Sequence, residues 1–257
     1  DLSRRLRAGD AEGGRASFNR GVEFGLLLTV PAAVALVVIA MPLTEVLYQR
    51  GAFGPDDTAA TALALAIYGA GLPAFVLHKV LQPLYYARED SRSPFRFALI
   101  SMVVNVVFAV ALQPVIGFLA AALATTVSGW VMVIQLWLGA RKMGSAAHPD
   151  ARFWARFWRI LVASAVMGVA LWGMAGWLGD SLTTAGTRYG ALAALCGVGI
   201  AVYFLTAGLI GAFAIRAVAN DGFEAHLCHG LKFGDHDLWR DRQMGCECFD
   251  IHDGSNL

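Results

Sequence analysis

Residues 59–86 have the sequence AATALALAIYGAGLPAFVLHKVLQPLYY, an apolar run whose one Lys or Arg is Lys79. At a helical rise of 1.5 Å per residue, about 20 apolar residues cross the roughly 30 Å hydrocarbon core of a bilayer. Backbone amides in lipid need partners within their own segment, so a spanning run of this length is expected to be helical. The stretch therefore predicts a transmembrane helix.

Five further apolar runs accompany this one along the chain. The six predicted segments cover about 21–41, 59–86, 95–113, 115–138, 157–178 and 189–215. The alternating ten-residue segments that are typical of a transmembrane barrel do not occur. The composition agrees, since 57% of residues are hydrophobic and 15% are charged, against about 45–50% and about 25% in soluble domains. The predicted fold class is an all-α polytopic membrane protein with six transmembrane helices.

The loops between these segments differ in their content of Lys and Arg. Thirteen such residues fall in residues 1–20, 87–96 and 139–159, whereas the intervening loops contain only Arg50 and Arg188. Because cytoplasmic loops are enriched in Lys and Arg, the N- and C-terminal ends of the chain are both expected on the cytoplasmic side. The net charge of +1 hides this asymmetry and gives no indication of nucleic-acid binding.

The same pattern divides the chain into five predicted parts. They are a basic cytoplasmic segment, four transmembrane helices, a cytoplasmic loop, two additional helices and a polar tail, at residues 1–20, 21–142, 143–156, 157–216 and 217–257. The chain begins with Asp1, and residues 1–20 lack the apolar core of a secretory signal, so we interpret it as a fragment. The tail has the composition of a disordered segment. Its cysteines and histidines depart from the usual spacing of zinc ligands, so no metal site is predicted.

Lys79 is the main candidate functional residue. It lies nine residues before Arg88, which begins a cytoplasmic basic cluster, and is therefore expected roughly 13 Å deep in the membrane. An ammonium group at this depth is costly, so an intramembrane lysine indicates a functional site by default. The functional hypothesis is a water-filled cavity in which Lys79 attracts an anionic headgroup. The alternative is that its long stem carries the charge back to the interface.

A second candidate site joins the third and fourth segments. Asn105 lies in the middle of the third segment and Thr125 in the middle of the fourth, and Gln113 and Pro114 predict the short turn between them. Such polar groups usually form hydrogen bonds between helices or to the carbonyl four residues earlier. The alternative is a cation site built from their oxygens, although no carboxylate lies nearby in the sequence.

Two arginines at opposite ends of the 59–86 segment are further cavity candidates. Arg50 precedes a turn after which Asp56 and Asp57 predict a helix start. Arg88 lies in YAREDSRSP, residues 86–94, where a hairpin and a gating salt bridge are the two interpretations. Proline in a membrane helix predicts a kink, here within the first two segments at Pro31 and Pro73. No phosphate-binding loop, nucleophile elbow, HExxH or dinucleotide motif occurs, and nothing indicates an enzyme.

Several stretches resemble one family of transporters. Residues 42–99, which contain RGAF and YGAGLPAFVLHKVLQPLYYARED, and the ALATT sequence at 122–126 are similar to the MurJ (MviN) family of lipid II flippases. This family belongs to the multidrug/oligosaccharidyl-lipid/polysaccharide exporter (MOP) superfamily. The resemblance is specific over residues 2–142 and looser over 150–216.

The resemblance implies a fold, an activity and partners. The fold has fourteen helices, of which this chain would hold the second lobe and the two C-terminal helices. The activity is translocation of lipid II, an undecaprenyl-pyrophosphate-linked peptidoglycan precursor, across the bacterial inner membrane by alternating access. Peptidoglycan biosynthesis, cell wall biogenesis and cell shape depend on that step. The implied partners are lipid II, membrane lipids and the missing N-terminal half of the same protein.

The resemblance also bears on individual residues. Lys79 matches a family position within an HKV motif. Asn105 and Thr125 resemble cation-site ligands of some members, and coupling to Na⁺ or to the membrane potential follows as an expectation, with no other cofactor. Ala109 stands where those members have a carboxylate, which weakens the expectation of a Na⁺ site. Two alternatives remain open: a polysaccharide or multidrug exporter of the same superfamily, and a non-transporting membrane scaffold for cell-wall synthesis.

Overall fold

The computed structural model describes residues 11–141, 151–179 and 186–211, and its regular structure there is entirely helical. The helices are α1 Ala11–Val38, α2 Ala40–Tyr48, α3 Pro55–Tyr86, α4 Arg92–Ile116, α5 Leu119–Arg141, α6 Ala151–Trp177 and α7 Arg188–Leu209. Six of them, all but α2, contain a segment long and apolar enough to cross a membrane. The predicted all-α fold with six transmembrane helices is therefore confirmed within the described residues.

The helices differ from the predicted segments mainly at their ends. Helix α1 begins at Ala11, inside the predicted basic segment 1–20, and α6 begins at Ala151, inside the predicted loop 143–156. Helix formation depends on backbone hydrogen bonds and intrinsic propensity, which Ala, Glu and Arg satisfy as well as apolar residues do. Apolarity consequently predicts the membrane-embedded part of a helix better than its ends. The predicted tail, 217–257, lies outside the described residues.

The turn between α4 and α5 also lies later than predicted. Helix α4 continues through Pro114 to Ile116, and the chain reverses at Gly117, whose φ of 59° is in the left-handed region. Glycine adopts that region without steric cost, whereas proline at a helix position removes only its own N–H bond and crowds the preceding turn. The prediction of a turn at Gln113 and Pro114 is wrong by a few residues.

The first apolar segment is interrupted, but not at Pro31, where the sequence predicts a kink. Helix α1 runs through Pro31 and α3 runs through Pro73. The helix is interrupted instead at Ile39, with φ −103° and ψ 16°, and α2 then continues from Ala40. Pro42 explains this position, because a proline ring crowds the carbonyl four residues earlier, here that of Val38.

The helices pack in a row whose order differs from their order in the chain. Along the row they follow as α4, α5, α3, α1, α6 and α7, and α2 packs against α3 and, more lightly, α7. Helix α3 therefore lies between α5 and α1. Helix α4 lies at one end, and of its residues only Pro94 and Ser101 are buried.

Small residues let the central helices approach closely. A Cβ atom added at Gly69 of α3 would lie 2.9 Å from Cβ of Leu36 on α1, and one added at Gly129 of α5 would lie 2.8 Å from the ring of Phe75 on α3. Membrane helices pack by such van der Waals contact because lipid supplies no hydrophobic drive for their association. Gly69 and Gly129 thus allow α1 and α5 to approach α3 closely.

Hydrogen bonds to main-chain carbonyls connect α3 with α5, which are neighbours in the row, and α7 with α1, which are not. Tyr85 on α3 donates to the carbonyl of Leu136 on α5, at 2.6 Å. Tyr203 on α7 donates to the carbonyl of Leu27 on α1, also at 2.6 Å. Each bond satisfies a buried hydroxyl, which would otherwise be costly in an apolar surrounding, and holds the two helices in register.

Candidate functional site

Lys79 projects from α3 between the two helices that flank it. Val76 and Val80 lie on the α1 side, where each is 3.4 Å from a Cβ position built on Gly25 or Gly21. On the other side, Thr126 of α5 donates to the carbonyl of Ile67 at 2.9 Å. Lys79 belongs to neither contact, and its side chain is exposed. It is therefore available to a group that approaches α3 from its open side.

The residues on this side form a continuous stripe, which we call the Lys79 face. Its members recur every three or four residues and so share one side of the helix: Tyr68, Leu72, Phe75, Lys79, Gln82 and Tyr86. Tyr68 and Tyr86 are 41% and 49% exposed. The face thus combines one cation, one amide and two phenol groups with apolar side chains, and α1 and α5 leave much of it uncovered.

The opposite side of α3 has a different composition; we call its first half the apolar face, since further along this side is buried at Ala74, Leu81 and Leu84. It consists of Ala59, Leu63, Ala66 and Ala70, which again recur every three or four residues. Leu63 is 51% exposed. The indole N–H of Trp130 reaches this side from α5 and donates to the carbonyl of Ala70 at 3.2 Å. Within residues 59–86 Lys79 is the one Lys, Arg, Asp or Glu, so the charge of this part of α3 lies on the Lys79 face.

The free-energy cost of burying an ammonium group in hydrocarbon limits where the charged end of Lys79 can lie. Lys79 is seven residues from Tyr86, the last residue of α3, so it lies about 10 Å from that end at helical rise. A lysine at the centre of a membrane helix costs about 2.5–3.5 kcal/mol on insertion scales. Stable placement therefore requires water, an anionic partner or extension of the stem towards the interface.

The other two cavity candidates lie at the ends of α3. Arg50 is exposed in the α2–α3 turn, where its guanidinium donates to the carbonyl of Leu47 at 2.6 Å. Arg88 is exposed in the α3–α4 turn. The 32 residues of α3 separate them, which corresponds to about 48 Å. Lys79, Arg50 and Arg88 therefore lie at three different levels along the helix, and no single small headgroup would touch all three at once.

The α3–α4 turn has a defined backbone geometry. Asp90 N–H donates to the Tyr85 carbonyl at 3.1 Å and Glu89 N–H to the Tyr86 carbonyl at 3.1 Å, which is the hydrogen-bond pattern of a Schellman helix end. Glu89 has a φ of 60°, at the position where glycine is usual. The turn around Arg88 is thus fixed by main-chain bonds.

Asp90 also organises the start of α4. Its carboxylate accepts a hydrogen bond from the Ser93 backbone N–H at 3.0 Å. Hydrogen bonds from the Ser93 hydroxyl and then from the Ser93 N–H lower the pKa of Asp90 below its ordinary value, and Arg96 contributes in the same direction. An acidic side chain at this position satisfies a free N–H of the first helical turn and interacts favourably with the helix dipole.

Asn105 and Thr125, the predicted pair, are brought together by the packing of α4 on α5. The Asn105 amide nitrogen donates to the Thr125 hydroxyl at 3.4 Å and to the Ser128 hydroxyl at 3.2 Å. Thr125 donates in turn to the Ala121 carbonyl, at 2.8 Å, and Ser128 to the Thr125 carbonyl, at 3.0 Å. Because each hydroxyl has one proton and uses it on the backbone, it can only accept from Asn105. The network itself therefore directs the amide nitrogen, and not its oxygen, towards Thr125.

This arrangement does not fit a Na⁺ ion between Asn105 and Thr125. The group that Asn105 presents to Thr125 is a donor, whereas a hard cation is bound by oxygen ligands. Ala109, one turn further along α4, adds no carboxylate. Within the described residues, no cluster of three or more His, Cys, Asp or Glu side chains is placed to hold a metal ion. The described geometry fits an interhelical hydrogen-bond network.

The structure also contains an ion pair that the sequence did not predict. Glu23 of α1 contacts Arg156 of α6, and the two side chains are only 14% and 18% exposed. Arg159, one turn further, donates to the Gly211 carbonyl just beyond α7, at 3.2 Å. The available signal was Glu23 itself, an acid inside the apolar segment 21–41. Arg156 lies among the basic residues of 139–159, and its position in the sequence predicts a cytoplasmic charge but no partner.

Comparison with known proteins places these features in one family. The family model described as Lipid II flippase MurJ matches residues 1–195. A probable lipid II flippase MurJ from Rhizobium tropici is 41% identical over 227 residues, which cover 86% of this chain and 42% of that protein. Its counterpart from Rhizobium meliloti is 39% identical over 221 residues, covering 85% of this chain and 41% of that protein. The chain thus spans about two fifths of the length of these curated relatives.

A solved structure supports the fold independently. A lipid II flippase MurJ in an inward closed conformation superimposes with a TM-score of 0.64. The alignment covers 81% of this chain and 41% of that structure, at 23% sequence identity. At that identity the similarity concerns the fold alone.

Proposed function

This chain belongs to the family of lipid II flippases called MurJ, and from this membership we propose that it is part of a lipid II flippase. The full-length protein would translocate the undecaprenyl-pyrophosphate-linked peptidoglycan precursor across the bacterial inner membrane by alternating access. In this proposal the chain supplies the second lobe and the two C-terminal helices of a fourteen-helix transporter. Its N-terminal and C-terminal ends face the cytoplasm.

The position of Lys79 is the main structural observation that supports this proposal. Lipid II has a pyrophosphate group, so its passage through a membrane requires cationic groups that compensate a negative charge away from bulk water. Lys79 presents such a group on an open face of a transmembrane helix. Arg50 and Arg88 are positioned to meet the headgroup near either end of α3, at the entrance and the exit of the same path.

Two alternatives make different predictions about this residue. A polysaccharide or multidrug exporter of the same superfamily would also present an open polar face, but it would not restore lipid II exposure. A non-transporting scaffold for cell-wall synthesis has no need of a cation within the membrane and would tolerate its loss. The family match over residues 1–195 supports the flippase over both.

Energy coupling forms a further part of the proposal. We assign no Na⁺ ion to Asn105 and Thr125, for the geometric reasons given above. If Na⁺ drives transport, its ligands would come from other parts of the full-length protein, and otherwise the membrane potential would act on the charged substrate and on Lys79. No enzymatic step is proposed, because translocation forms and breaks no covalent bond.

The experiment is a complementation assay with the full-length protein. Native protein is depleted from cells, and surface exposure of labelled lipid II is measured in the presence of each variant. We expect Lys79→Ala to reduce exposure and Lys79→Glu to reduce it further, because a carboxylate repels the pyrophosphate. Arg92→Ala is the matched control, since Arg92 is an exposed cation at the start of α4 that the proposal does not use.

Each outcome separates the hypotheses. Normal lipid II exposure after depletion would exclude the flippase. Full activity of Lys79→Glu, with wild-type membrane levels, would exclude a role of Lys79 in charge compensation and favour the scaffold. Equal losses for Lys79→Ala and Arg92→Ala would show that any lost positive charge is harmful, and would remove the specific assignment of Lys79.

A further inference from the structure

We propose that α2 and the first half of α3 form a hinged hairpin, residues 40–68, that swings as one unit and opens or closes the transport path at the α2–α3 turn. The inference rests on the proposed function, because it assigns the motion to the step in which a transporter changes the side to which it opens. The chain would bend at two places, Ile39 and Pro73.

The first weak point is the break between α1 and α2. The Ile39 N–H donates to the Ala35 carbonyl at 2.8 Å, and the Leu43 N–H donates to the Ile39 carbonyl at 2.9 Å. Between these two bonds, the dihedral angles of Ile39 lie outside the α-helical region and Pro42 has no N–H. Three successive carbonyls therefore receive no main-chain hydrogen bond from the described residues. They belong to Leu36, Val37 and Val38.

The second weak point lies in α3, in contact with the first. Pro73 is inside α3, and because it has no N–H, the carbonyl of Gly69 lacks its helical donor. Gly69 packs directly on Leu36, since a Cβ atom added to the glycine would lie 2.9 Å from Cβ of Leu36. Two neighbouring helices, joined by the α2–α3 turn, are thus weakened at the same depth. Bending at both points would move the residues between them together.

Two other prolines of α1 and α3 lack this combination. Pro31 frees the Leu27 carbonyl in the same way, but the Tyr203 hydroxyl donates to that carbonyl at 2.6 Å and α1 continues unbroken. Pro83 lies in α3 three residues after Val80, which contacts the unbroken part of α1. Neither proline pairs a freed carbonyl with a break in the neighbouring helix.

Hydrogen bonds within the hairpin hold each of its stems together. Thr44 donates to the Ala40 carbonyl at 2.8 Å, and Thr58 donates to the Gly54 carbonyl at 2.9 Å. The Asp57 carboxylate accepts from the Gly54 N–H at 3.1 Å at the start of α3. Among the described residues, the hydrogen bonds that hairpin side chains donate stay inside the hairpin. A swing would therefore break none of them.

The contacts of the hairpin with α7 and α5 are compatible with such a swing. Val46 packs against Ala191 and Leu192 of α7 in a small apolar cluster. This contact contains no hydrogen bond, so the two surfaces can shift by small sliding. From α5, Thr126 donates to the Ile67 carbonyl at 2.9 Å. That bond lies beside the pivot, where a swing displaces atoms least.

The chain on the other side of the pivot is tied across several helices. The Glu23–Arg156 pair connects α1 with α6, and the Tyr85 hydrogen bond connects α3 with α5. A tied part and a hairpin that meet at a few weakened residues are the elements of a hinge. At helical rise, Tyr48 lies about 14 Å from Ile39, so a change in bend of about 20° moves it about 5 Å.

The experiment measures distances between spin labels by pulsed electron paramagnetic resonance. It uses the full-length protein in lipid nanodiscs, without and with lipid II, after replacement of all other cysteines. The hairpin pair, Tyr48→Cys with Trp172→Cys, joins the hairpin to α6. The reference pair, Phe95→Cys with Trp158→Cys, joins α4 to α6 on the other side of the pivot. All four positions are exposed in this chain.

We expect the hairpin pair to populate distances that differ by about 5 Å, and the reference pair to keep one distance. Pro42→Ala combined with Pro73→Ala returns a helical N–H to each weak point. This double variant should reduce the hairpin distances to one and lower lipid II exposure several-fold in the complementation assay. Pro31→Ala is the matched control and should change neither, because the Leu27 carbonyl already has a donor.

Three results would overturn the hinge: one narrow hairpin distance in the wild-type protein under both conditions, equal movement of the two label pairs, or equal effects of Pro31→Ala and the double variant. Full lipid II exposure by a double variant with one hairpin distance would overturn the gating role.

The hinge and the flippase can be rejected separately. If the hairpin distances differ but depletion of the protein leaves lipid II exposure normal, the proposed function is lost and the hinge stands. If the protein exposes lipid II but the hairpin keeps one distance, the function stands and the inference fails.

Discussion

At the scale of single residues, Tyr85 shows how a polar group stabilises a contact between apolar helices. Its side chain is 1% exposed, and its hydroxyl donates to the Leu136 carbonyl across the α3–α5 contact. A Cβ atom added at Gly139 would collide with this hydroxyl, so the glycine preserves the space that the bond requires. The bond and the close approach of the helices thus depend on each other.

We expect Tyr85→Phe to lower the free energy of unfolding by about 1 kcal/mol, the usual net value of one hydrogen bond. Tyr86→Phe is the matched control, because the neighbouring Tyr86 is 49% exposed and lies on the Lys79 face. Both variants are compared with wild type by denaturant-induced unfolding of the protein in detergent. Equal stability of the two variants would show that the Tyr85 hydroxyl contributes nothing beyond its ring.

Asp90 predicts a pH dependence at the start of α4. Its pKa is lowered in the folded state by the hydrogen bonds from Ser93. A lowered pKa means that this contribution to stability is complete above the ordinary aspartate value and is lost as the pH falls through the lowered one. We expect the Ser93 amide to be protected from hydrogen exchange near neutral pH and to lose that protection in acid.

The Asp90→Ala variant is the control for this titration. It lacks the carboxylate, so the protection of its Ser93 amide should already be low and should not change with pH in that range. Protection factors, which correct for the intrinsic pH dependence of exchange, are the quantity to compare. An unchanged protection factor in the wild-type protein down to the lowest pH would contradict the capping role.

Individual residues also show which features of the site can be predicted from sequence alone and which cannot. Lys79, Asn105 and Thr125 were recognisable because polar groups are conspicuous within apolar runs, and the last two indeed lie together. The direction of their hydrogen bonds was not predictable, because it depends on which lone pairs the hydroxyl groups of α5 leave free. The Glu23–Arg156 pair was missed because its members are 133 residues apart in the chain.

At the scale of helices, the same pair is the clearest link between the first four spans and the last two. Glu23 and Arg156 are both largely buried, so removal of one partner leaves a charge without compensation. Loss of one member of a buried pair costs about 3–5 kcal/mol, whereas replacing both members is much less costly. A double-mutant cycle therefore separates the contribution of the pair from the cost of an orphaned charge.

We expect Glu23→Gln and Arg156→Gln each to lower the free energy of unfolding by about 3 kcal/mol, the lower end of that range because both groups keep some exposure. The double variant should lose less than the sum of the two. Glu45→Gln serves as the control, since Glu45 is an acid of α2 outside the described ion pairs. Additive losses in detergent unfolding would exclude an energetic coupling between the two side chains.

The lengths and the packing of the helices also show which parts of the fold can be predicted from the sequence. Long apolar runs fix the number of spans, because the thickness of a bilayer sets their length. They do not fix the packing order of α4, α5, α3, α1, α6 and α7, since nearly every face of these helices is apolar and offers no pattern to distinguish neighbours. Close contacts such as Gly129 with Phe75 select that order, and they join residues far apart in the sequence.

At the scale of the whole molecule, among the described helices, α2 joins α3 to α7 and the Tyr203 hydrogen bond joins α7 to α1, but α3 and α4 keep uncovered sides. Both sides of α3 are partly uncovered, and α4 contacts chiefly α5 at the end of the row. A translocation path needs walls on all sides, so that the headgroup of lipid II never faces lipid tails. One row of helices with a single intramembrane lysine supplies one wall.

We therefore expect the 257-residue chain alone to be inactive in vesicles that contain labelled lipid II, and to become active when the remaining part of the full-length protein is reconstituted with it. The physical reason is the Lys79 face, whose polar groups need water or protein partners within the membrane, which a second wall would enclose or supply. Translocation is measured as the fraction of labelled lipid II that becomes accessible to an impermeant reagent. Co-reconstitution with a Lys79→Glu version of the chain is the control, which should assemble but transport poorly because the carboxylate repels the pyrophosphate. Full translocation by the 257-residue chain alone would mean that two rows from separate copies can close the path, and the second wall would then have to be sought in a second copy of α3.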